Sequence, residues 1–244
     1  MDKAYPTRSC GIISASGLLQ TSFVDQQYYS EVPAGGLAER ALIAARKRIF
    51  QDFMEQMRPT SATRILDVGV SDVINDGANV LERAYPFQEN ITACGVGEGI
   101  AFQAAFPLAR YQRIEPNAKL PFAEDSFDIA VSNAVLEHVG SVENQTFFIA
   151  EMCRVARRVF ISVPNRGFPV EHHTAIPFAH YSDTAFRLAC RLTRKSQWAD
   201  RKNLILMTRK SLWTLAAPAG REAAVGYTGL MLGPFSSNLY LGLR

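Results

Sequence analysis

Apolar and polar positions change rhythm along this chain, and the changes divide it. From Leu37 to Met57 apolar residues recur at helical spacing, Leu42, Ile49, Phe53 and Met57 among them, which predicts a helix. RPTSAT (58–63) breaks it. Short β-rich runs then alternate with helical stretches. RILDVGV (64–70), ITACGV (91–96), YQRIE (111–115), FDIAVSN (127–133) and VFISVP (159–164) read as strands. Between them come ANVLERAYP (78–86), a helix stopped before Pro86, a short helix near 100–106, and a helix from about 143 to 156. Ser141 is the expected N-cap of this last helix, with Phe148, Met152 and Val155 on one face. Continuously apolar strands alternating with helices predict an α/β fold, a doubly wound, mostly parallel sheet covered on both faces.

The C-terminal third reads differently. FRLACRLTRKS and TRKSLWTLAA predict helices, the second capped by Thr208. EAAVGYTGLML and SSNLYLGLR predict two strands joined through Gly233-Pro234. They close a seven-stranded sheet with an antiparallel last strand. Residues 1–36, with Pro6, Pro33 and Gly35-Gly36, read as an N-terminal arm or cap. Residues 37–244 read as a single domain, with 182–221 a helical insertion before the closing strands.

Composition narrows the class. A chain of 244 residues, 48% apolar and 20% charged, builds an ordinary globular core. A net charge of +3 gives no reason to expect nucleic acid. No apolar run approaches the roughly 20 residues of a membrane span, and GIISASGLL is too short and too rich in Ser and Gly for a secretory signal. Cys10, Cys94, Cys153 and Cys190 form no Cys-x-x-Cys pair, three of them fall in strand or helix, and the reading is buried reduced thiols in a cytoplasmic protein.

The candidate chemistry gathers where the strands end. Asp67-Val68-Gly69 ends the first, Gly97-Glu98 the second, Glu115-Pro116-Asn117 the third, Ser132-Asn133 the fourth and Pro164-Asn165-Arg166 the fifth. In a doubly wound sheet, ligands bind beyond those carboxyl ends.

On these residues the chain resembles a class I S-adenosylmethionine-dependent methyltransferase of the type 11 group, with a Rossmann-like sheet. RILDVGV is similar to that family's first motif, LPFAEDSFDIAVSNAVLEHV to its fourth-strand motif, and GLMLGPFSSNLYLGLR to its closing antiparallel pair. ENITACGVGEG and VPNRGFPVEHHTAIPFAHY resemble a bacterial subgroup associated with cell-surface polysaccharides. The resemblance implies S-adenosylmethionine as cofactor, contacted by Asp67, Gly69, Ser71, Glu98, Asn117, Ser132 and Asn133. It also implies a small-molecule or glycan acceptor. The family's first loop is Gly-x-Gly-x-Gly, whereas here Gly69 is followed by Val70, Ser71 and Asp72. Gly97 stands where the ribose-binding acid is expected, which leaves Glu98 for that role.

Glu137 and His138 follow the fourth strand as positioners or base. After the fifth strand, Glu171 would hold His173 in one tautomer as a general base, in a segment expected to wall the acceptor pocket. The histidines lack the sequence spacing of a tetrahedral metal site, so no metal is expected. Arg187, Arg191, Arg194 and Lys195 read as one face of a helix carrying Phe186, Leu188 and Leu192 on the other, a surface suited to solvent or to peripheral contact with a membrane or lipid-linked substrate. A nicotinamide-dependent oxidoreductase would want Gly-x-Gly-x-x-Gly at the first loop, which GVSDVI lacks. The remaining alternative is a non-catalytic methyltransferase-like binding or scaffold domain.

Overall fold

The computed structural model describes residues 36–74 and 77–244. All but the last residue of the expected N-terminal arm, Cys10 included, lies outside these residues. Helix α1 (Leu37–Met57) leads into strand β1 (Ile65–Val68), helix α2 (Val80–Ala84), strand β2 (Ile91–Gly95), helix α3 (Ile100–Ala105) and strand β3 (Arg110–Arg113). Strand β4 (Phe127–Asn133), helix α4 (Val142–Val155) and strand β5 (Ala156–Pro164) follow. Helices α5 (Asp183–Leu192) and α6 (Arg209–Ala216) precede strands β6 (Ala223–Leu232) and β7 (Phe235–Leu243). The strands form one sheet in the order β3-β2-β1-β4-β5-β7-β6. β7 runs antiparallel to both its neighbours, and the other pairings are parallel.

Both faces of the sheet are buried, and alternate residues of each strand serve opposite faces. Ile65, Ile129, Val131 and Phe160 face α1, whose Ile49, Phe53 and Met57 cover them. Leu66, Val68, Ala130, Ile161 and Val163 face α4 and α6, against Ile149, Met152, Leu212 and Leu215. Phe53 meets Phe160 edge-on at 5.7 Å between ring centroids, and Tyr240 stacks on Phe160 at 5.5 Å. Burying a side chain of this size contributes roughly 1.5–3 kcal/mol.

Local chemistry sets the element ends. Ser141 accepts a hydrogen bond from the Asn144 amide and starts α4, and Thr208 with Ser211 forms a capping box on α6. β1 stops at Val68, two residues before the end that patterning suggests. Gly69 turns the chain at φ 100°, and the amides of Gly69 and Val70 both donate to the Cys94 carbonyl. β5 starts three residues earlier than its pattern, because α4 runs into it with Ala156 as C-cap.

The basic helix is a correction. Only Phe186 and Cys190 of α5 are buried, packed on Trp198 and Leu204. Leu188 and Leu192 are exposed (56% and 75%) alongside Arg187 and Arg191, so the apolar stripe is the i, i+4 pair 186/190. Arg194 and Lys195 lie beyond the helix end, and the Lys195 ammonium donates to the Thr174 carbonyl at 3.0 Å.

Among the described residues no helix is long and apolar enough to cross a membrane. Cys94, Cys153 and Cys190 are buried free thiols. Three loops meet beyond β4 and β5. The Ile205 amide donates to the Glu137 carbonyl (2.8 Å), the Arg166 amide to the Met207 carbonyl (2.8 Å) and the Gln145 side chain to the Leu136 carbonyl (2.9 Å).

Candidate active site

A cavity of about 840 Å³ opens over the carboxyl ends of β1, β2 and β4, where the strand order reverses. Its floor is the β1–α2 turn. A methyl group on Gly69 would lie 2.3 Å from Val135 Cγ2, so glycine supplies both the positive φ and the close approach of this turn to the β4 loop. Ser71 lines the cavity, and Asn79 holds its backbone twice, accepting from the Ser71 amide and donating to the Ser71 carbonyl.

Asp67 also lines the cavity while its residue is only 8% exposed, and Glu82 of α2 is wholly buried behind it. Among the described residues the Glu82 oxygens have no hydrogen-bond partner. Burial pushes the Asp67 carboxyl up to about 7, with the nearby Glu82 carboxyl acting against that rise. Burial and then the Asp67 charge push Glu82 up as well. Two buried carboxyls raised in this way favour keeping a proton between them.

The end of β2 departs from the sequence expectation. Glu98 is exposed, ion-paired to Arg113 at 2.6 Å, and outside the cavity lining. Asp72 sits on the inner side instead, accepting from the Gly99 amide (2.8 Å) and the Phe102 amide (3.2 Å), so the first loop clamps the start of α3. Tyr111 donates its hydroxyl to the Gly97 carbonyl. Asn117, at φ 53°, lines the cavity with Glu115. Asn133 lines it and accepts from the Ser162 hydroxyl at 2.6 Å. Ser132 is buried outside the lining, its hydroxyl tied to the Val68 carbonyl across the β1–β4 boundary.

At the other end of the cavity stand His138 and His173. Glu171 holds the latter, accepting from the His173 amide, from the Thr174 amide and hydroxyl, and from His173 Nδ1 at 2.7 Å. Burial alone would raise Glu171, but the His173 charge and these hydrogen bonds hold its carboxyl well below the usual range. His138 Nδ1 lies 2.6 Å from the Asn203 carbonyl, which can only accept, so this nitrogen carries the proton. The two Nε2 atoms then face each other at 3.1 Å, with Trp198 packed against both rings. Burial, with the His173 charge behind it, lowers His138 to about 3. Burial also raises the neighbouring Glu137 carboxyl to about 7. His172 takes no part in this contact and pairs edge-on with Phe168. The segment after β5 reaches the cavity through His173, and β5 itself ends on the lining at Pro164.

Sequence reasoning passed over Arg46, which is buried on α1 and lines the cavity. Its signal was its place in the apolar stripe of α1, four residues after Leu42 and three before Ile49. Glu137, expected as a positioner or base after the fourth strand, is 1% exposed, with both oxygens buried and without a hydrogen-bond partner among the described residues.

A family model described as "Methyltransferase domain" matches residues 87–159. No curated protein matches the sequence. Among solved structures, a SAM-dependent methyltransferase from Aquifex aeolicus is 13% identical with a TM-score of 0.55, covering 90% of this chain and 97% of its own. An S-adenosylmethionine-dependent methyltransferase from Mesorhizobium loti is 15% identical (TM-score 0.52, 82% and 99% covered). One from Methanosarcina mazei is 16% identical (TM-score 0.51, 80% and 96% covered). Residues 87–159 are thus similar to a methyltransferase domain, and the chain has the Rossmann-like fold of the S-adenosylmethionine-dependent methyltransferases, whose cofactor these likenesses support.

Proposed function

We propose that the protein transfers a methyl group from S-adenosylmethionine to an oxygen-bearing small molecule. One observation carries this reading. A single cavity joins the β1–α2 turn to the Glu171–His173–His138 set, so a cofactor on one side and an acceptor on the other would meet inside it. Its volume lies within the 300–1,000 Å³ of small-molecule sites.

The residues present fit the cofactor. Gly69 leaves the backbone bare where a methyl group would strike Val135, Asp67 offers a carboxyl for an amino group, and Glu115 and Asn117 are the polar groups on the β3 side for a ribose or base. Bound S-adenosylmethionine supplies a methyl group on a sulfonium with a neutral thioether as leaving group. The chain's task is then alignment, worth roughly 7–11 kcal/mol, and control of the acceptor's proton. Glu171 fixes His173 with Nε2 turned away from it, and Asn203 does the same for His138, so both Nε2 atoms stand at the acceptor end of the cavity.

Exposed Leu188 and Leu192 beside Arg187 and Arg191 support an acceptor carried at a membrane surface, such as a lipid-linked glycan precursor. Co-sedimentation with anionic vesicles tests that part. Titration calorimetry with S-adenosylmethionine and S-adenosylhomocysteine tests the cofactor. No heat at millimolar ligand would leave a non-catalytic binding domain.

A further inference from the structure

The contact between His138 and His173 brings two ring nitrogens together at 3.1 Å beside a buried carboxyl. Each ring has its Nδ1 proton committed, one to the Asn203 carbonyl and one to Glu171. With both Nδ1 protons so committed, the two Nε2 atoms facing each other across 3.1 Å need a positive charge between them, either a proton carried by His173 or a metal ion. The third group is Glu137, 1% exposed, whose Oε1 is 3.9 Å from His138 Nε2 and whose oxygens meet no donor among the described residues. A buried carboxylate left without a donor is costly. One donor atom from each residue falls within 4.8 Å of the others.

We infer that Glu137, His138 and His173 bind a divalent transition-metal ion through one carboxylate oxygen and the two Nε2 atoms, with its remaining positions open to the cavity. The outer contacts are those of metal-bound histidines, whose second nitrogen donates to a carbonyl or carboxylate that fixes the tautomer. Distances narrow the geometry. Donors 3.1 Å apart, each about 2.1 Å from one ion, subtend about 95°, whereas a tetrahedral angle would part them by about 3.4 Å. The geometry points to six-coordination by two histidines and one carboxylate, as suits Mn²⁺, Fe²⁺ or Co²⁺. Ligands of one such ion lie at most about 4.2 Å apart, so the Glu137 carboxylate moves inward by under about 1 Å on binding.

The inference deepens the methyl-transfer reading and rests on it only for the role. The open positions would hold an acceptor hydroxyl, or two adjacent ones. The ion lowers the pKa of a bound hydroxyl, which releases its proton to water. The resulting oxygen forms the O–CH₃ bond while the S–CH₃ bond breaks and its electron pair stays on sulfur.

The test uses the full chain, stripped with chelator and titrated separately with Mn²⁺, Co²⁺ and Zn²⁺ alone. Expected are one ion per chain, a weak six-coordinate Co²⁺ absorption spectrum, and affinity lowered more than about tenfold in Glu137→Gln and His173→Ala, and about tenfold in Glu171→Gln. Circular dichroism checks that the variants fold. The Co²⁺ spectrum of the unaltered protein stands independently if they do not. No stoichiometric binding of any of the three ions overturns the site, as does equal affinity in folded variants, and a shared proton then bridges the histidines. Ion binding with no binding of S-adenosylhomocysteine keeps the site and removes the methyl-transfer reading.

Discussion

Glu82→Gln tests the buried carboxyl pair beneath the cavity. In the folded chain the Asp67 carboxyl is raised from 3.8 to about 7, chiefly by burial. Between those values the folded state holds a proton that the unfolded chain releases, so stability falls as pH rises through the window, and Glu82, raised as well, acts in the same direction. A shift of about three units corresponds to about 4 kcal/mol for a group this buried. A glutamine at position 82 donates its amide hydrogen to an ionised Asp67 with no proton to share. The pH slope should then flatten, and at and above neutral pH the variant should be at least as stable as the parent. Urea unfolding at several pH values across the window gives both curves. Parallel curves for parent and variant would refute the shared proton, since only this pair is altered.

Other substitutions address separate links. Gly69→Ala must hold φ 100° and displace Val135, which costs about 1–3 kcal/mol of stability, and S-adenosylhomocysteine affinity measured by calorimetry should fall with it. Glu98→Ala removes an exposed ion pair outside the cavity and should change that affinity by less than about twofold, whereas Glu115→Ala, on the lining, should weaken it severalfold. Ser141→Ala loses the α4 cap, a cost of about 1 kcal/mol or 2–4 °C in melting temperature by calorimetric scan; an unchanged melting temperature would mean the cap is dispensable.

The fold was legible because its signals are local. Continuous apolar runs such as FDIAVSN are what a strand buried on both faces requires, and Ser141 and Thr208 mark helix starts within three residues of the groups they cap. Asp67, Gly69 and His173 were legible as cavity residues because strand ends converge at one edge of such a sheet. Glu98 was misplaced because sequence gives only its position after β2. Which acid turns inward is decided by Asp72, 26 residues earlier, which takes the Gly99 amide. The Glu137–His138–His173 cluster escaped a search by spacing because His138 and His173 stand 35 residues apart and meet only when the β4 and β5 loops fold together. Leu188 and Leu192 were placed with Phe186 on the face opposite the basic residues, but a helix of ten residues docks through Phe186 and Cys190 alone and leaves both leucines exposed.

The junction of three loops beyond β4 and β5 has a mechanical consequence. Residues 203–207 are stitched on one side to Glu137 and His138 and on the other to Arg166, with Gln145 bridging Leu136 and Met207 Sδ. None of these loops can swing away alone without exposing the hydrogen bonds of the other two. They form one seam that opens as a unit, so the amides of Ile205 and Arg166 should exchange with solvent at a common rate, and a ligand seated on the histidines would slow both together.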